Sequence, residues 1–279
     1  MRSIKKLLGA ARRITWRAAK ALDKEFNDPD SHWERDTGSP KVIIFVHGLF
    51  SESPRAWSSK DAYWPDLLQQ DPGFEGWDIL MANWYSTLLS ADHDIECVAK
   101  SLDEELRRLL GDGRKEIVFV CHSLGGVVVR QLLIANPWWV KDHKIGLFTL
   151  STPVRGARLA SKVAKVSATF QHAQALDLQL GSEALLRIEA DFRLLLEAHP
   201  GQVTGKELFE SHGIAPRNKV FRLLDAVSLL PKALVGRETQ GNTFGPAEEV
   251  PGTDHNSISR PPDQNAIVYR RLAEFIQKF

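Results

Sequence analysis

Short unbroken apolar runs alternate along the chain with longer stretches in which apolar residues recur every three or four positions. The first run, Val42-Ile43-Ile44-Phe45-Val46, is β-branched and aromatic throughout. That is the pattern of a strand buried on both faces. Comparable runs predict strands over 77–84, 117–121, 145–150 and 219–224. Helical spacing predicts helices over 61–70, 91–110, 125–135 and 264–279. In the second of these Ile95, Val98, Leu102, Leu106 and Leu109 share a face and Gly111 stops the helix, while Asn136-Pro137 halts the third. Residues 158–212 read as helical throughout, with Leu185, Ile188, Phe192 and Leu195 on one face. No antiparallel strand is evident before residue 40. Strands alternating with helices imply a mostly parallel sheet flanked by helices, with a helical insertion between its fourth and fifth strands.

The first 22 residues break this pattern. At 100° per residue Ile4, Leu7, Leu8, Ala11, Ile14, Ala18 and Leu22 fall on one helical face, and Arg2, Lys5, Lys6, Arg12, Arg13, Arg17 and Lys20 on the other. Residues 1–26 are therefore expected to form a basic amphipathic helix outside the body at 40–279. It would either lie on an anionic membrane surface as a peripheral contact or pack against the body. The remaining 29 Lys and Arg face 35 Asp and Glu, and the whole chain carries +1, so no nucleic-acid partner is expected. With 43% hydrophobic and 25% charged residues over 279 positions, the composition is that of an ordinary globular protein. Cys97 and Cys121 cannot build a disulfide framework or a multi-thiolate metal site and fit a reducing compartment. No cofactor or metal is expected. No apolar run reaches the 18 residues of a helical membrane span, and the basic segment lacks the apolar stretch of an export signal. The expected location is cytoplasmic, peripheral at a membrane surface.

Candidate chemistry gathers at strand ends. The predicted strand 117–121 runs into His122-Ser123-Leu124-Gly125-Gly126 and then a helix. A serine in so tight a strand-to-helix turn presents its hydroxyl at the carboxyl edge of the sheet, and small neighbours let the backbone pass closely. The Leu124 N–H, at the start of the new helix, points toward any oxygen developing negative charge. His47-Gly48-Leu49 directly follows the first strand, where the Leu49 N–H can supply a second donor. A serine nucleophile needs a base, and the base an orienting carboxylate. Of nine histidines, His255 lies in the turn-rich Pro251-Gly252-Thr253-Asp254-His255-Asn256 just before the last helix, within swing of the sheet edge. Asp225 ends the predicted fifth strand, with Asp254 and Glu238 as rival acids. His122 adjoins the serine on the backbone and is expected to point elsewhere.

The order Ser123, Asp225, His255, with the serine in a strand-to-helix elbow, resembles the α/β-hydrolase fold. More narrowly, Phe45-Val46-His47-Gly48-Leu49, Cys121-His122-Ser123-Leu124-Gly125-Gly126 and Ser151-Thr152-Pro153-Val154-Arg155-Gly156 resemble lipase-like serine esterases, in the group that includes GPI-inositol-deacylase-like proteins. In that group an Asp-x-x-Ser stretch and an Asp-His pair recur, here Asp225-Ala226-Val227-Ser228 and Asp254-His255. The resemblance covers residues 40–279. It departs at Cys121, where the elbow usually has glycine, and at Val154, where relatives often carry histidine. It implies an α/β-hydrolase domain with a helical cap at about 155–215, a Ser123–His255–Asp225 triad and an oxyanion hole from Leu49 and Leu124. The expected activity is hydrolysis of carboxylic esters, of lipid or acyl-chain type, with thioesters and acyl transfer open. A catalytically inactive binding module at a membrane or partner, and a serine peptidase, are the alternatives.

Overall fold

The computed structural model describes residues 31–48, 53–84, 95–154, 183–211 and 242–279. The β-branched runs become strands whose successive side chains face opposite sides of one sheet. β1 (His32–Arg35), β2 (Lys41–Val46), β3 (Trp77–Ala82), β4 (Glu116–His122), β5 (Lys144–Leu150), β6 (Val203–Glu210) and β7 (Glu248–Val250) pair in the order β1-β3-β2-β4-β5-β6-β7. Only β1 runs antiparallel, against β3. The parallel register aligns Val46 with Ala82 on one side and with Cys121 on the other, so β2, β3 and β4 end level at one edge.

Both faces of the sheet are apolar because helices cover both. Val42, Ile44, Ile117, Phe119 and Cys121 pack toward α3 (Ile95–Leu110), α4 (Leu124–Ala135) and α6 (Glu183–Ala198). Ile43, Phe45, Val118 and Val120 pack toward α1 (Ser53–Trp57), α2 (Trp64–Gln69) and α7 (Ile267–Lys278). The short α5 (Trp138–Asp142) precedes β5, and its Trp139 indole donates to buried Asp103 at 2.6 Å.

Three sequence expectations change. β1 is an antiparallel edge strand ahead of residue 40. Residues 158–212 are not helical throughout. α6 ends at Ala198, His199-Pro200-Gly201 breaks the chain with Gly201 at φ 80°, and Val203–Glu210 enters the sheet beside β5. Gly205 belongs in that strand because a β-carbon there would lie 2.3 Å from the Phe244 ring. Moreover, α6 is a layer helix whose Leu185, Ile188, Phe192 and Leu195 join the core cluster that contains α4, rather than part of a cap over the sheet edge. The predicted strand 219–224, the basic helix within 1–26, and residues 155–182 of the expected cap lie outside the described residues. Among the described residues no helix is long and apolar enough to cross a membrane.

One buried ion pair ties α4 to β6. The Arg130 guanidinium, fully buried, donates to Glu207 at 2.7 Å and to the Thr243 hydroxyl at 3.2 Å, and lies over the Phe192 ring. The other Glu207 oxygen accepts the Thr243 N–H. Removing one partner strands a charge away from water, so Glu207→Ala is expected to lower the unfolding free energy by about 3–5 kcal/mol. Arg130→Met with Glu207→Leu should recover most of that loss. Urea unfolding of both variants checks this, and a single variant as stable as wild type would contradict it.

Candidate active site

β4 delivers Ser123, which stands between the strand and α4 at φ 53° and ψ −127°. A residue with a side chain rarely holds this left-handed backbone, and such strain persists only where packing over-determines it. The packing here is close. A β-carbon on Gly48 would lie 2.7 Å from the Ser123 Cβ, and one on Gly125 would lie 2.5 Å from the carbonyl oxygens of Val46 and His47. One on Gly126 would strike Thr152. The small residues after the serine thus let α4 start directly against the ends of β2 and β5. Cys121, where an elbow glycine is usual, fits because its side chain turns into the opposite core, where burial pushes its thiol pKa up.

His255 reaches the serine from the loop after β7. Its Nε2 stands 3.0 Å from the Ser123 Oγ, and its Nδ1 stands 3.2 Å from Glu210 Oε1 at the end of β6. An ionised carboxylate only accepts, so Nδ1 carries the proton and Nε2 offers its lone pair to the serine hydroxyl. Burial alone would raise the Glu210 pKa. The facing His255, the Ser151 hydroxyl and the residue's own backbone outweigh burial and hold it below the ordinary 4.5. Ser151, at φ 50°, directly follows β5 with the same positive φ as Ser123.

The loop after β2 is braced beside the serine. The Trp84 indole N–H donates to the His47 carbonyl at 3.0 Å and its ring stacks on the His47 imidazole. His47 Nδ1 donates to the Gly48 carbonyl at 2.9 Å. Burial lowers the His47 pKa from 6.5 to about 4, so its ring is neutral and bracing at pH 7. His122 does not point away from the site. Its Nε2 lies 2.7 Å from the His255 carbonyl oxygen.

Of the residues singled out in the sequence, the structure brings together Ser123 and His255, with Leu124 opening α4 beside them. Leu49, Asp225 and Glu238 lie outside the described residues. Asp254 is described, and it does not face the ring. Its carboxylate accepts the backbone N–H groups of Asn256 and Ser257 and so shapes the loop. The carboxylate at His255 Nδ1 belongs to Glu210, a position hidden from sequence reading because residues 203–210 read as part of a helix. The break at Pro200-Gly201, followed by Val203-Thr204-Gly205, was the signal available. Among the described residues no cluster of three or more His, Cys, Asp or Glu is placed to hold a metal ion.

A family model described as "Putative serine esterase (DUF676)" matches residues 37–194. The chain is 23% identical over 276 residues to Protein SERAC1 of Homo sapiens, covering 85% of this chain and 38% of that protein. It is also 23% identical to Protein SERAC1 of Danio rerio over 266 residues, with 84% and 38% covered. The chain thus spans well under half the length of these curated relatives. Among solved structures, phospholipase PlaB from Legionella pneumophila superposes with a TM-score of 0.61 at 14% identity, over 85% of this chain and 59% of that one. The mature Bacillus licheniformis lipase BlEst2 superposes with a TM-score of 0.55 at 20% identity, over 88% and 96%. The fold is that of the α/β-hydrolases.

Acid should loosen this site in a defined window. Below pH 6.5 the unfolded chain binds a proton at His47 that the folded chain refuses until about pH 4. Stability should therefore fall as pH falls through that interval. Glu210 acts in the same direction, since its contribution is complete above 4.5 and is lost as pH falls through its lower folded value. Urea unfolding across this range should show the decline, and His47→Asn should reduce its slope by up to about 1.4 kcal/mol per pH unit. An unchanged slope in that variant would contradict the assignment.

Proposed function

The chain belongs to the DUF676 serine-esterase family, and from that premise we propose that it hydrolyses carboxylic esters through a Ser123–His255–Glu210 triad and an acyl-enzyme. The observation that carries this reading is the continuous contact from Glu210 through both nitrogens of His255 to the Ser123 hydroxyl. Glu210 fixes the tautomer. His255 Nε2 takes the Ser123 proton as Oγ bonds to the ester carbonyl carbon, and the carbonyl oxygen becomes an oxyanion. The backbone N–H of Leu124 faces that oxygen from the first turn of α4, where helix N–H groups have no acceptor within the helix. Leu49, outside the described residues, is the second proposed donor. As the oxyanion collapses, the C–O bond to the alcohol breaks and His255 returns its proton to the leaving oxygen. Water, deprotonated by the same nitrogen, then releases the acid and restores Ser123.

For substrate we propose an acyl-chain or lipid ester. Support comes from the family description, from the lipase and phospholipase titles of the structural neighbours, and from the basic amphipathic pattern at residues 1–22. That pattern would bring the enzyme to an anionic membrane surface as a peripheral contact.

The test is hydrolysis of p-nitrophenyl esters of increasing acyl length. Ser123→Ala should abolish turnover, and Glu210→Gln should lower kcat by about 10³–10⁴-fold with the fold intact. Asp225→Asn should stay near wild type. Strong loss in Asp225→Asn with activity retained in Glu210→Gln would return the acid role to Asp225. No hydrolysis by folded wild type would favour the binding module, and cleavage of amides but not esters the peptidase.

A further inference from the structure

His122 immediately precedes the nucleophile, and the alternation of β4 turns its side chain away from Cys121 and toward Trp57, Val118 and Val120. Its ring is buried, 6.4 Å from the Trp57 ring and 4.9 Å from the His255 ring. Its Nε2 lies 2.7 Å from the His255 carbonyl oxygen, which can only accept, so that nitrogen carries the proton. Nδ1 is then a buried lone pair with no hydrogen-bond partner among the described residues. Burial first, and then the neighbouring His255, hold the ring in this neutral form far below the usual histidine range. The charge that develops on His255 during proton transfer therefore meets no like charge on its neighbour.

The loop that carries His255 is tied at its start to Ser211, just after β6, and is shaped beyond that by its own bonds. Asp254 caps Asn256 and Ser257, and the Ser257 hydroxyl accepts the Asp254 N–H. Those bonds set the curvature of the loop. They do not set its distance from the strand that delivers Ser123. The His122 bond spans 133 residues and ties the backbone of the base directly to that strand, one residue before the nucleophile.

We infer that His122 is a positioning residue of the esterase site, a neutral donor that clamps the His255 backbone so that the base and Ser123 move as one unit. The inference rests on the function proposed above. A displacement of about 1 Å at reacting groups costs roughly 10²-fold in rate, which sets the effect to look for.

The test compares wild type, His122→Met and His122→Gln with p-nitrophenyl acetate, together with proton NMR of the low-field His255 Nδ1–H that faces Glu210. Methionine fills the space without a donor, whereas the glutamine amide nitrogen reaches the place of Nε2. His122→Met should lower kcat by about 10²-fold with KM unchanged and shift or broaden the low-field resonance. His122→Gln should recover most of the rate and the resonance. Wild-type kcat in His122→Met, or a His122→Gln variant as slow as His122→Met, would overturn the inference. Should His122→Met fail to fold, the glutamine variant decides. An inactive wild type would sink the esterase reading instead, and the NMR comparison would still decide whether His122 holds the base.

Discussion

The chain must pass from strand to helix within one residue at Ser123, and it does so in a backbone region that side chains disfavour. Such strain costs on the order of 1–3 kcal/mol and needs surroundings that leave no alternative. Here the surroundings are backbone itself. The carbonyls of Val46 and His47 fill the space beside Gly125, and Gly48 leaves no room for a side chain beside the Ser123 Cβ. These contacts exist because β2 and β4 end level in parallel register. The sheet therefore holds the serine at its carboxyl edge, between the ends of β2 and α4.

Around that turn the protein allots its buried charge with little redundancy. Arg130 and Glu207 neutralise each other on the face covered by α4 and α6. Nearer the serine the imidazoles of His47 and His122 are kept neutral by burial and act as donors to backbone carbonyls. Glu210 is an ionised group that faces His255. In the proposed mechanism Glu210 would face the charge that His255 gains, while the adjoining His122 ring stays neutral.

Much of this was legible in the sequence, because β-branched runs, helical spacing and turn residues report local preferences. The strands at 42–46, 117–121 and 145–150 emerged within a residue or so of their observed bounds. Ser123 could be located because a serine between a buried strand and paired glycines leaves few physical options. The failures share a cause. β6 reads as a continuation of α6 because Lys206, Glu207, Leu208 and Phe209 are tolerated in a helix, and only pairing with β5 makes them a strand. That misreading hid Glu210. β1 is short and partly polar, and it becomes a strand through its antiparallel contact with β3. The roles of Trp84 and His122 depend on contacts across 37 and 133 residues, which no local pattern encodes.

The central claim is that Ser123 is a nucleophile activated by His255. The most direct measurement is peptide mapping by mass spectrometry after treatment with a fluorophosphonate, which bonds covalently only to an activated serine. The account predicts one adduct per chain, on the peptide that contains Ser123, and none after His255 is replaced by alanine. An unmodified folded protein, or an adduct on a different serine, would contradict it.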